Sequence, residues 1–153
     1  MIKNFILILF VFSLFSNKVF AEAKEESRAK YVLSSMQQDY IICYSFYKIG
    51  SEYIKKSNGD KKIIDGVEKS ADISLKLSYE TGELMGMDTE EMSLKVKKEM
   101  KNQLDQIDND FNNASILLKK YAQQCKQLLE NKKQRIAFWE KKAALKFKWI
   151  LKI

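Results

Sequence analysis

The sequence predicts an all-α protein, an antiparallel up-down bundle of three to four long helices. Three observations carry that expectation. The 153 residues include no proline and only five glycines, and helix-favouring Lys, Glu, Leu, Met and Gln are frequent. Apolar residues recur at steps of three and four over stretches far longer than an ordinary strand. Turn-forming Asn, Gly and Asp gather at a few places, where they punctuate the pattern.

The first 21 residues, "MIKNFILILFVFSLFSNKVFA", place basic Lys3 before the apolar run Phe5 to Phe15 and end in Val19-Phe20-Ala21. That is the pattern of a secretory signal peptide over residues 1–21, cleaved after Ala21. Its apolar run is 11 residues, short of the ~20 that a membrane-spanning helix needs. No cysteine follows the cleavage site, so no lipid anchor is indicated. The protein is therefore expected to be periplasmic or secreted and soluble after cleavage. Residues 22–131 then form a single helical-bundle domain, followed by a tail over residues 132–153.

In residues 29–57 the positions Leu33, Met36, Tyr40, Cys43, Tyr47 and Ile54 make one stripe, widened by Ile42, Phe46, Ile49 and Tyr53. This is one amphipathic helix with a broad buried face. Asn58-Gly59 then stops it, because both residues tolerate positive φ, and Asp60 can cap the next helix. That second helix runs from Lys61 to about Leu84, with Ile64, Val67, Ala71, Leu75 and Ser78 on one side. Gly86 suits its C-terminus, and Asp88 with Glu91 three residues later reads as a capping box for a third.

The third pattern runs Met92, Val96, Met100, Leu104, Ile107, Phe111, Ala114, Leu118, Tyr121, Cys125, Leu128, and between residues 100 and 128 it has the rhythm of a coiled-coil seam. Periodicity alone makes residues 89–131 one helix. The cysteines object. An exported protein with two cysteines most simply pairs them, and Cys43 and Cys125 are too far apart in sequence for a CxxC redox or zinc motif. In a bundle with short turns, a straight third helix would leave Cys125 about 36 Å from the level of Cys43 at 1.5 Å per residue. A disulfide needs Cα atoms within about 7 Å. If the chain instead reverses near "NDFNN", residues 109–113, Cys125 returns to within a helical turn of Cys43. The expected architecture is therefore up-down-up-down with a Cys43–Cys125 disulfide, and the alternative is the long helix without it.

Asp108, Asp110 and Asn112 open like a calcium loop, but Asn113 stands where glycine belongs and Lys119 where a bidentate Glu belongs. An interhelical turn is the expected reading. With no histidine, Ser-His, Cys-His and most zinc hydrolase chemistry is excluded. Carboxylates such as Asp65, Glu68 and Asp72 alternate with Lys62, Lys69 and Lys76 as a solvated helix face, and nothing selects a glycosidase-like pair. No catalytic residue, metal ligand or cofactor is assigned, and the protein is expected not to be an enzyme.

The tail "KKQRIAFWEKKAALKFKWILKI" carries eight Lys or Arg and one Glu, while residues 22–131 carry seventeen basic against nineteen acidic residues. All the net positive charge of residues 22–153 thus lies in the tail, with both tryptophans. Lysine stems beside aromatic rings suit an anionic surface. The candidate contacts are Lys132, Lys133, Arg135, Trp139, Lys141, Lys142, Lys146, Lys148, Trp149 and Lys152. The alternative is that Ile136, Trp139 and Leu145 cap the bundle while the lysines solubilise it. From Leu145 onward apolar and basic residues alternate, so this end is open to a helical or an extended reading. Among the tyrosines, Tyr40 and Tyr47 share the seam with Cys43, whereas Tyr44 and Tyr53 are candidate protein contacts. The expected function is binding: a protein partner for a chaperone, inhibitor or assembly factor, or else an anionic membrane surface met by the tail. Nucleic acid fits the charge but not the export route.

Overall fold

The structure, a computed structural model, describes the backbone of residues 2–148 and the side chains of residues 24–148. The side chains on which the signal-peptide expectation rests, together with Trp149 and Lys152, lie outside the described residues. The fold is all-α, a bundle of five packed helices: α1 (Ile2–Lys56), α2 (Lys61–Glu83), α3 (Thr89–Gln106), α4 (Ser115–Glu130) and α5 (Lys132–Lys146). Helix α1 is the axis, and each of the other four packs against it. Helix α2 descends along α1, α3 climbs again, and α4 with α5 forms the last descending leg.

Each turn follows from its residues. Asn58 takes φ 52°, the Gly59 N–H donates to the Ile54 carbonyl, and Asp60 accepts from the Lys62 N–H at 2.6 Å. Gly86, at φ 77°, closes α2, and Asp88 caps α3 by accepting from the Glu91 N–H at 2.8 Å. The expected reversal is present. Asp108 and Asn109 both adopt left-handed φ, Asn109 N–H donates to the Leu104 carbonyl, and Asp110 caps a 3₁₀ turn at Phe111–Asn113. The stretch that resembled half a calcium loop therefore caps and turns the chain.

This break corrects the continuous seam over residues 100–128. Helix α3 stops at Gln106, and the reversal changes which residue faces inward: Leu117 is 1% exposed, whereas Leu118, on the uninterrupted phase, is 58% exposed. Beyond it the expected positions hold, with Tyr121, Cys125 and Leu128 buried. They join Met36, Tyr40, Cys43, Phe46, Ile49 and Ile107 in one core. Cys43 and Cys125 are bonded, with Cα atoms 5.3 Å apart.

The tail is helical through Lys146, and α5 lies along α1. The extended reading therefore fails over the described part of the tail. Asn131 starts this last helix by accepting from the Gln134 N–H at 3.2 Å.

Small side chains are buried on both long helices: Ser45 and Ser51 on α1, and Ala71, Ser74, Ser78 and Gly82 on α2. Three of these serines bond carbonyls of their own helix, Ser51 to Lys48, Ser74 to Ser70 and Ser78 to Leu75, which lets their hydroxyls be buried at little cost. Two glycines on α2 should respond oppositely to alanine. Gly66 is exposed with open space around a new Cβ, so Gly66→Ala is expected to stabilise by about 0.5–1 kcal/mol through helix propensity. A Cβ at Gly82 would run into Met92 Sδ and Gln37 Nε2, both on buried side chains, so Gly82→Ala is expected to destabilise by about 1–3 kcal/mol. Urea melts of the two variants check both signs.

Candidate binding groove

Helices α2 and α4 flank the upper half of α1 and leave a groove of about 590 Å³ between them. Its floor is the α1 face Phe46, Tyr47, Gly50, Tyr53 and Ile54. Val67 contributes from α2, while Ser115, Leu118, Ala122 and Lys126 line it from α4, and Asn112 and Ala114 come from the reversal. Gly50 keeps the floor low: the space above its Cα is open. Beside the reversal, Lys56 Nζ sits 3.8 Å from the centre of the Phe111 ring.

The lining is mostly apolar, and part of it meets water. Tyr53 is 39% exposed, and the Leu118 side chain displaced by the reversal falls here. Tyr47 is half-buried, and burial followed by the charge of Glu130 raises its pKa, which keeps the phenol neutral. Lys126 is the charged group of the lining and forms no ion pair among the described residues. The neighbouring cation Lys55 is already engaged, by Glu68 at 2.5 Å and Glu52 at 3.3 Å. Of the two candidate protein contacts, Tyr53 lies in the groove. Tyr44 does not; it is half-buried, with a pKa raised first by burial and then by Asp72 and Tyr79.

A polar cluster holds the lower part of the bundle. Asp39, 3% exposed on α1, accepts from Gln124 Nε2 at 2.9 Å, Arg135 Nε at 2.6 Å and Nη2 at 2.8 Å, and Trp139 Nε1 at 2.6 Å. One carboxylate thus ties α4 and α5 to α1, and both its oxygens are satisfied. The guanidinium also lies over the Phe138 and Trp139 rings, at 4.6 and 5.1 Å. Arg135 and Trp139 are therefore committed to the interior, which corrects their place among the candidate surface contacts. The physical reason is the buried carboxylate opposite them.

The remaining described tail candidates face solvent: Lys132, Lys133, Lys141, Lys142, Lys146 and Lys148 are exposed. Lys146 lies 4.4 Å from the Tyr31 ring centre and Lys142 5.3 Å from that of Phe138. The sequence reading missed Asp39, although a signal was there. It stands three after Met36 and four before Cys43, a charge on the core-facing stripe, and such a charge needs a buried partner.

Tyr40 is next to it and 1% exposed, and its hydroxyl has no hydrogen-bond partner among the described residues. Burial, then Asp39 and Glu80, push its pKa up to about 12. A phenol whose pKa is raised on folding adds stability in full below the unfolded value of about 10. That contribution is lost as the pH climbs through about 12. Urea melts at pH 9 and pH 11 are expected to show a smaller alkaline loss for Tyr40→Phe than for the parent; equal losses would assign the effect to other groups. At neutral pH the same variant should match or exceed the parent, since it removes a buried hydroxyl without a partner.

Comparison with family models, with curated proteins and with solved structures finds no match, so the chemistry of the groove is read from its own residues. Those residues define a helical bundle with an apolar, one-cation groove. Among the described residues no group of His, Cys, Asp or Glu is placed to hold a metal ion, and no helix is long and apolar enough to cross a membrane.

Proposed function

We propose that this chain is an exported binding protein that takes an apolar group of its partner into the groove between α2 and α4 and performs no chemistry on it. The observation that carries the reading is the groove itself: about 590 Å³, apolar, set in a scaffold cross-linked through Cys43 and Cys125. Export rests on the signal-peptide pattern of residues 1–21, and a disulfide is what an oxidising compartment permits. On this reading the mature chain starts at Glu22, and N-terminal sequencing of the protein recovered after export checks it.

Binding is tested with the neutral apolar dye Nile red. The oxidised protein should enhance its emission, and Gly50→Leu, which raises the groove floor into open space, should abolish the enhancement while preserving the melting temperature. Undiminished enhancement by a folded Gly50→Leu protein would remove the groove from the function.

A second reading, contact with an anionic membrane surface, is favoured by the exposed lysines of α5. Its test leaves Arg135 and Trp139 in place. Lys141, Lys142 and Lys146 are changed together to Glu, and co-sedimentation with phosphatidylglycerol vesicles is measured. Loss of binding supports this reading, and unchanged binding rejects it.

A further inference from the structure

We infer that the groove takes a single-chain amphiphile with one negative charge, of the fatty-acid type, its hydrocarbon chain lying over Gly50 and its carboxylate meeting Lys126. This deepens the binding reading above and rests on it. Two features select that occupant: the lining of the groove and its charge.

From Ser115 to Lys126 the α4 wall spans about 16 Å at 1.5 Å per residue. The lining is apolar on all three sides, through Phe46, Ile54, Val67, Leu118 and Ala122, and gains by displacing water from a chain. The charged group of the lining is a single cation, while Glu130 stands outside the lining, near Tyr47. Lys126 lies twelve residues after the α4 cap Ala114, far from the reversal, and has no ion-pair partner among the described residues. An apolar groove with one unpaired ammonium in its wall matches a ligand with an apolar body and one anionic head.

The test is calorimetric titration of the oxidised protein, purified after export, with octanoate, decanoate and dodecanoate below their micellar concentrations. Kd is expected to tighten about fourfold per added methylene, the equivalent of about 0.8 kcal/mol. Dodecanol should bind about fivefold more weakly than dodecanoate, the scale of one partly exposed ion pair. Lys126→Gln should erase that preference and leave dodecanol binding unchanged. Leu118→Glu, at a position exposed enough to keep the fold, should weaken dodecanoate more than dodecanol.

Equal affinity for dodecanoate and dodecanol in the parent protein would overturn the anionic assignment and leave groove binding standing, and so would tighter binding of dodecyltrimethylammonium. Unaltered dodecanoate binding by a folded Gly50→Leu protein would overturn the site and the binding reading together. Displacement of Nile red by an amphipathic helical peptide but by none of the three carboxylates would make the occupant a protein segment and reject this inference.

Discussion

Replacing both Cys43 and Cys125 with alanine is expected to cost about 4.5 kcal/mol, the chain-entropy value for releasing a loop of 82 residues. Against a total stability of about 5–15 kcal/mol for a domain of ordinary size, that is a large share. The melting temperature should fall by about 15 °C. The bond joins the C-terminal part of α1 to α4, so without it the descending leg is held by packing and by the Asp39 cluster alone. Both sulfurs are fully buried, so reductant reaches them only after local opening. The double variant is therefore the cleaner measurement, and the reduced parent protein should melt with it. A double variant that melts with the oxidised parent would show that the link adds nothing to the bundle.

Removing the carboxylate at Asp39 is the second large effect. Asp39→Ala is expected to destabilise by about 3 kcal/mol, the low end for breaking one side of a buried ion pair, because the Arg135 side chain keeps 21% of its surface in water. Three donors lose their acceptor together: the Gln124 amide, the Arg135 guanidinium and the Trp139 indole. Arg135→Ala alone should cost less, since Asp39 then keeps Gln124 and Trp139. Combining the two in a double-mutant cycle should return a coupling of about 2 kcal/mol. The loss is local as well as global. Trypsin should cut Asp39→Ala first within residues 132–146, where Lys132, Lys133, Lys141 and Lys142 are exposed. A variant with parental stability and an unchanged cleavage pattern would mean that α5 is held by its apolar contacts instead.

These two clusters show how much could be read from the chain before folding. Helix α2 was legible nearly to the residue, because Asp60 and Gly86 act on the backbone beside them and caps are local chemistry. The cysteine pair and the reversal near residues 109–113 were legible together, since a covalent link between distant positions restricts topology as periodicity cannot. Leu117 and Leu118 were not. An apolar pair offers two phases, and only the reversal chose the inward one. The tail was legible as cationic and aromatic, but Arg135 and Trp139 found their role in a carboxylate about a hundred residues earlier. The groove had no signature in any single stretch, because its residues come from α1, α2, α4 and the reversal.

The order of residues was enough to dictate an all-α chain and its turns, and to narrow the rest to two choices, a Cys43–Cys125 pair with a reversal or a long helix without it. These follow from backbone preference, capping and one covalent constraint, each of which acts within a segment or between two named atoms. It took the packed molecule to bring Arg135, Trp139 and Gln124 to Asp39, to turn Leu118 outward, and to leave the face around Gly50 open between α2 and α4. Those outcomes depend on how helices settle side by side on α1, where burial and charge pairing are summed over residues far apart in the chain.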